Sequence, residues 1–278
     1  MSNTNLSIVM LGTGSPRPDL ERSGPAQVLF LDDLPILIDC GEGTTTQLMK
    51  ANIPPQNIKH LFFTHLHSDH FFGYGQFLLG GWGLGRRELT VIGPNGIKEF
   101  HDTLVRMFHD DISYRTSLGR PGNGVLDVKI IEIDEPGIVP CDIPAKVTAA
   151  EMVHNVPTFG FRFETEEKAV VFSGDTAPTP AIIELARNAD VLVQDACLAA
   201  TGVYRNTKDP ELQKIWENLQ KEHCTPQQAG EIAQEAGVKK LVMTHFLPNV
   251  NGEEVQQEAA NSFDGEAIVG KDLLKITV

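Results

Sequence analysis

The chain has 278 residues, 41% hydrophobic and 22% charged, enough to bury a sizeable core and near the upper limit for one domain. Its 37 acidic residues against 23 basic ones give a net charge of −14, with no offsetting Lys/Arg cluster. Such a surface repels phosphate backbones, which argues against a large nucleic-acid partner, and no run of about 18 apolar residues suggests a membrane span.

The N-terminal stretch MSNTNLSIVMLGTGS lacks a basic segment followed by an apolar core and a cleavage site, so a cytoplasmic location is expected. Strand-like runs follow at LSIVML (6–11), AQVLFL (26–31) and ILIDC (36–40), the last two joined by the turn DDLP. A helix is predicted over TTTQLMKA, then strands over IKHLFF and LTVIG. NGIKEFHDTLVRMF reads as a helix with Asn95 as its cap, and residues 110–127 have the Gly/Pro/Asp content of a surface loop.

A second group of strands comprises VKIIEI, AKVTAAEMV, TFGFRFE, KAVVFSG and VLVQDA, with the helix TPAIIELARNA between its last two members. Beyond a polar stretch (202–223), TPQQAGEIAQEAGV reads as a helix capped by Thr225 with Pro226 in its first turn. The strand KKLVMTH, the helix GEEVQQEAANSF and strands over AIVG and DLLKITV complete the chain. Two strand-rich halves without a linker or repeat predict one compact domain over 1–278, with two sheets and helices packed outside. A single parallel sheet is disfavoured because several early strands are joined by turns too short for crossovers.

Three of the nine histidines fall within FTHLHSDH (63–70), directly after an apolar run. His65 and His67 share a side only on extended or turning backbone, whereas His67 and His70 share a face where a helix begins. A strand end passing into a helix start gathers these three with Asp69 around one point; the competing reading is a solvated loop. Three later apolar strands each end in a spare ligand type, at His154, Asp175 and His245. Imidazole and carboxylate donors together suit zinc, and also iron or manganese. Cys40, Cys141, Cys197 and Cys224 form no CxxC pair, and Cys40 and Cys197 read as small buried hydrophobes.

With these motifs, LGTGSPRP (11–18), DCGEGTTTQL (39–48), SGDT (173–176) and EHCTPQQAGEIA (222–233), essentially the whole chain resembles the metallo-β-lactamase superfamily. Within it, the chain looks most like the ribonuclease Z and phosphodiesterase branch. The resemblance implies an α+β fold, an αββα sandwich of two mixed sheets with helices on both outer faces. It assigns one divalent metal to His65, His67 and His154 and another to Asp69, His70 and His245, with Asp175 bridging them. Two zinc ions are expected, with manganese or iron as alternatives, and water between them is acidified towards neutral pH to give a bridging hydroxide.

The resemblance also places Asp39 behind the ligands, as acceptor for a ligand histidine, unless it merely ends a turn. It sets the GTGSP loop, with Thr13 and Ser15, at the metal edge; the loop lacks the P-loop pattern, and a plain tight turn is the alternative. His223, in HCT, is the branch's histidine beside the scissile phosphate, as against a surface histidine before a helix cap. Asp195 stands where the branch often has Glu, which leaves its reach to His223 open; with Asp69 these form the expected catalytic group. Arg115 and Arg120 meet an anionic substrate if they are not simply solvated.

A basic arm that full ribonuclease Z carries has no room between His154 and Asp175, where one hairpin is predicted. The expected function is hydrolysis of a small ester, foremost a cyclic-nucleotide-like phosphodiester. Arylsulfatase-like or lactonase-like activity, transfer-RNA 3′ cleavage and mere ligand binding are the alternatives. The branch often forms homodimers, for which GQFLLGGWGLG (75–85) is an interface if it is not core.

Overall fold

The structure, a computed structural model, describes residues 5–199, 204 and 207–278. The polar stretch 202–223 therefore lies partly outside the described residues. The first sheet contains β1 (Leu6–Gly12), β2 (Ala26–Leu31), β3 (Leu34–Ile38), β4 (His60–Phe62), β5 (Thr90–Pro94) and β6 (Lys129–Ile133). The second contains β7 (Gly137–Ile138), β8 (Lys146–Glu151), β9 (Phe159–Glu164), β10 (Ala169–Phe172), β11 (Val191–Asp195), β12 (Lys240–Thr244) and β13 (Glu266–Val269). The last strand, β14 (Leu274–Thr277), returns to the first sheet beside β1.

Strand order is β14-β1-β2-β3-β4-β5-β6 in one sheet and β13-β12-β11-β10-β9-β8-β7 in the other. Each sheet is mixed: β3 through β6 and β10 through β13 pair in parallel, and the remaining pairs are antiparallel.

Period-two alternation sends β1 in two directions. Leu6, Ile8 and Met10 enter the core between the sheets, and Val9 and Leu11 face the outer layer. Phe62 from the first sheet meets Phe161 and Phe163 of the second edge-to-face, at ring separations of 5.3 and 5.1 Å. Each such pair contributes about 0.5–1.5 kcal/mol beyond area burial. Outside the first sheet lie α1 (Thr44–Lys50), α2 (Ser68–Phe71), α3 (Tyr74–Gly83), α4 (Ile97–Met107) and α5 (His109–Ser117). The other half carries α6 (Pro180–Leu185), α7 (Pro210–Leu219), α8 (Pro226–Ala236) and α9 (Gly252–Ala260). The arrangement is the αββα sandwich, with helices on both outer faces.

Some boundaries differ from the sequence reading. Residues 109–117 are helical, because Asp110 and Asp111 favour a helix start and Arg115 pairs one turn later with Asp111 at 2.9 Å. The Gly/Pro punctuation that suggested a loop is confined to 119–124. Asn95 does not cap α4: Gly96 occupies that position with φ 101°, a left-handed conformation that glycine adopts without a Cβ penalty. Thr225 does cap α8, in a reciprocal pair with Gln228. The apolar segment 75–85 is largely α3, which buries Phe77, Leu78 and Trp82 while Leu84 stays exposed.

Candidate metal centre

Six of the polar residues singled out above sit at or just past the carboxyl ends of strands, on one edge of the sandwich. Asp39 follows β3, His65 follows β4, and His154 follows β8. Asp175 follows β10, Asp195 ends β11 and His245 follows β12. Ligand sites of open α/β sheets form at this end of the strands. Two of these residues, Asp39 (φ 56°) and His245 (φ 65°), hold a left-handed backbone that non-glycine residues rarely adopt. Strain of this kind collects at functional sites, where surrounding structure enforces it.

His67 precedes α2, which presents Asp69 and His70. This short helix fits because of Gly41 and Gly73. A Cβ on Gly73 would stand 2.0 Å from Gly41 O, and one on Gly41 would stand 2.3 Å from Asp69 O.

The donor atoms form two clusters. In the first, His67 Nδ1 lies 3.2 Å from His65 Nε2 and 3.1 Å from His154 Nε2. Asp175 Oδ2 is 3.7 Å from His65 Nε2 and 4.0 Å from His154 Nε2. In the second, Asp69 Oδ2 is 3.6 Å from His70 Nε2 and 3.2 Å from His245 Nε2. Asp175 reaches this cluster too, with Oδ1 3.4 Å from His70 Nε2 and Oδ2 3.2 Å from His245 Nε2. Tetrahedral ligands held at zinc distances stand about 3.4 Å apart. Both donor sets thus match the spacing of a cation's coordination shell. His70 Nε2 is buried without a hydrogen-bond partner, as expected of a nitrogen aimed at an ion.

The groups behind the donors fix their orientation. Asp39 Oδ2 is 2.8 Å from His70 Nδ1, and it also accepts from the Thr64 hydroxyl at 2.8 Å. Thr64 Oγ1 in turn lies 3.0 Å from His65 Nδ1, so one carboxylate reaches a histidine of each cluster. His154 Nδ1 is 3.2 Å from Glu222 O. Asp195 Oδ2 lies 2.8 Å from His223 Nδ1, so aspartate at this position spans the gap.

The electrostatics favour positive charge. Burial works to raise the Asp175 pKa, but His245, His70 and His65 together hold it well below the usual carboxylate range. Burial depresses His70, yet Asp175, Asp39 and Asp69 outweigh it and lift the imidazole well above its usual value. His65 goes the other way, pushed well down by burial and by His70. Burial opposes protonation of His223 too, and Asp195 overrides it, raising the pKa to about 9. The carboxylates that draw protons onto His70 and His245 would pull on a divalent cation in the same way, whereas burial pushes His65 and His154 towards the neutral form that ligates metal.

Other candidates are placed differently. Thr13 is buried at the metal edge, but its hydroxyl is engaged by Arg22 Nη1 at 2.6 Å and by Asp272 at 2.9 Å. Ser15 Oγ is buried and has no hydrogen-bond partner among the described residues. Arg115 and Arg120 do not join the site. They line a separate apolar groove of about 1130 Å³ between α3, α4 and α5, whose walls include none of the donors above.

Three contributors escaped the sequence reading. Thr64 sits inside the quoted FTHLH motif, so its position was a signal. Asp272 holds the GTGSP loop through Thr13 N and ties it to Ser23 N and Gln47 Nε2 from far along the chain, which no local pattern announces. Cys197 lies with His223 and His245 in a cluster whose donor atoms are within 4.8 Å of one another.

Comparison with known proteins gives concordant results. The family model described as the beta-lactamase superfamily domain matches residues 35–246. A Ribonuclease Z from Mycobacterium marinum is 31% identical over 281 residues, spanning 98% of this chain and 99% of the relative. Among solved structures, the metallo-beta-lactamase fold protein YhfI from Bacillus subtilis superposes with a TM-score of 0.78 at 19% identity, covering 99% of this chain and 100% of YhfI. The short form of human tRNase Z does so with a TM-score of 0.72 at 26% identity, covering 97% of this chain and 98% of that one.

Proposed function

The chain belongs to the beta-lactamase superfamily, in its ribonuclease Z-like branch of metal-dependent hydrolases, and on that premise we propose that it hydrolyses small phosphodiesters at a two-metal centre. The observation that carries this reading is the convergence of seven imidazole and carboxylate donors, from distant parts of the chain, beside the hydrogen-bonded His223–Asp195 pair. His65, His67 and His154 would hold one divalent cation, and Asp69, His70 and His245 would hold the other. Asp175, whose carboxylate faces both clusters, would serve both cations. Such cations, zinc by preference of the donor set, would supply Lewis acidity and make an attacking water more acidic.

The chain's own residues do the rest. Asp39 and Thr64 keep the rings of His70 and His65 in the ligating orientation and tautomer. Asp69, buried beside His70 and His245, would also accept a proton from the attacking water. Asp195 binds His223 through Nδ1 and leaves Nε2 as the nitrogen that faces substrate. From there His223 donates a proton to the leaving oxygen, a contribution of about 10²–10⁴ in rate.

The net charge of −14 favours a small substrate. A second reading, 3′ cleavage of precursor transfer RNA, is favoured by relatives. The M. marinum Ribonuclease Z aligns over 99% of its length, so lack of an arm does not separate this chain from it. A panel of bis-aryl phosphate, cyclic nucleotides, aryl sulfate, acyl lactones and precursor transfer RNA tests the proposal. Turnover of the first two is expected. Turnover of lactone or sulfate alone would overturn the phosphodiester assignment, and transfer-RNA cleavage without cyclic-nucleotide turnover would transfer it to the second reading.

A further inference from the structure

Cys197 and His223 stand at the edge of the centre without holding either cation. The backbone N–H of Cys197 donates to Asp195 Oδ1 at 2.8 Å, and His223 Nδ1 meets Oδ2 of the same carboxylate at 2.8 Å. Asp195 thereby fixes both. The Cys197 sulfur and ring nitrogens of His223 and His245 lie within 4.8 Å of one another, all in buried residues. His245 Nδ1 faces the same corner, 3.9 Å from Asp195 Oδ1, and is buried without a hydrogen-bond partner.

We propose that Cys197 and His223, with the shared His245 beside them, form a third cation site for soft divalent ions such as Zn²⁺ or Cd²⁺, whose filling inhibits the enzyme by withdrawing His223 from substrate. Thiolate and imidazole are the donors such ions prefer, whereas Mg²⁺ and Ca²⁺ prefer oxygen. Burial, followed by Asp195, Asp175 and Asp69, keeps the Cys197 thiol protonated well above the ordinary range. The same carboxylates favour a cation that takes the proton's place. Binding breaks the Cys197 S–H bond and the N–H bond of each ring nitrogen that turns to the cation, forms the cation–sulfur and cation–nitrogen bonds in their place and releases those protons to solvent, with no change in oxidation state. Cations already in the paired site offset part of this field, so the third site fills last. The inhibitory half rests on the reading of His223 as proton donor; the binding half does not.

Cadmium titration of the metal-free full chain, followed by near-ultraviolet thiolate-to-cadmium absorption, tests binding. The expected result is that two equivalents bind without the band and a third brings it up. Cys197→Ser should lose the band while still taking up two equivalents, and Cys197→Ala replaces it if it does not. Cys224→Ser should keep the band, because that thiol is turned away and donates to Thr176 O at 3.1 Å. Excess zinc should lower bis-aryl phosphate turnover several-fold in the unaltered chain. It should do so much less in Cys197→Ser, each compared with its own rate at two equivalents.

A third equivalent without a band, or a band that survives in both Cys197 variants, would overturn the site. The expected band without zinc inhibition would overturn the inhibitory half. Undiminished turnover by His223→Ala at two equivalents would instead remove the proton-donor reading on which that half rests.

Discussion

At Asp175, ring nitrogens of His65, His70, His154 and His245 lie 3.2–4.0 Å from the two carboxylate oxygens. Asp175→Ala should therefore remove both metals and all turnover, as elemental analysis and a phosphodiesterase assay would show. Full metal content in that variant would refute the bridging role. Thr64→Val deletes the hydroxyl between Asp39 and His65 and should weaken metal binding about 10–100-fold, with Thr64→Ser restoring it. His223→Ala should lower kcat by about 10²–10⁴ while the paired site keeps its two metals; loss of either of those two would show that His223 is a ligand of the pair or a structural residue. The donors were legible because chelating side chains stood where apolar strands stop. Asp272, with no local pattern, was not, and Arg115 and Arg120 stand away from the donors, in keeping with the reading that loop arginines are mostly solvated.

Strands that end at the same edge turn scattered residues into a site, and that much follows from alternating and continuous apolar runs. The close contact of α2 with the loop after β3 is less visible. It depends on Gly41 and Gly73 approaching nearer than any Cβ permits. Gly73→Ala should displace α2 with Asp69 and His70, reducing both metal affinity and Tm. Gly80→Ala on α3, whose Cβ would meet only Thr45 Cγ2 at 4.0 Å, should be neutral or stabilising by up to about 1 kcal/mol, and calorimetry would separate the two. Helix α5 was missed because it buries only Ile112, so it lacks the periodic apolar stripe by which helices are recognised.

On the scale of the whole molecule, the two sheets meet across one aromatic-rich core and bring donor residues to a common edge, so the proposed cations would tie both halves together. Chelation should lower Tm, and metal at about 100 times its Kd should restore about 2.7 kcal/mol. An unchanged Tm would mean that binding is not coupled to the fold. The paired sheets were legible from short connections and strand count, and the −14 charge narrows the substrate class without naming a molecule. The most direct test is to add zinc stepwise to the metal-free chain while following hydrolysis of a bis-aryl phosphate. The rate should climb to its maximum at two equivalents per chain. A chain that binds two equivalents and leaves the ester intact, or reaches full activity at one, would contradict a two-metal phosphodiesterase.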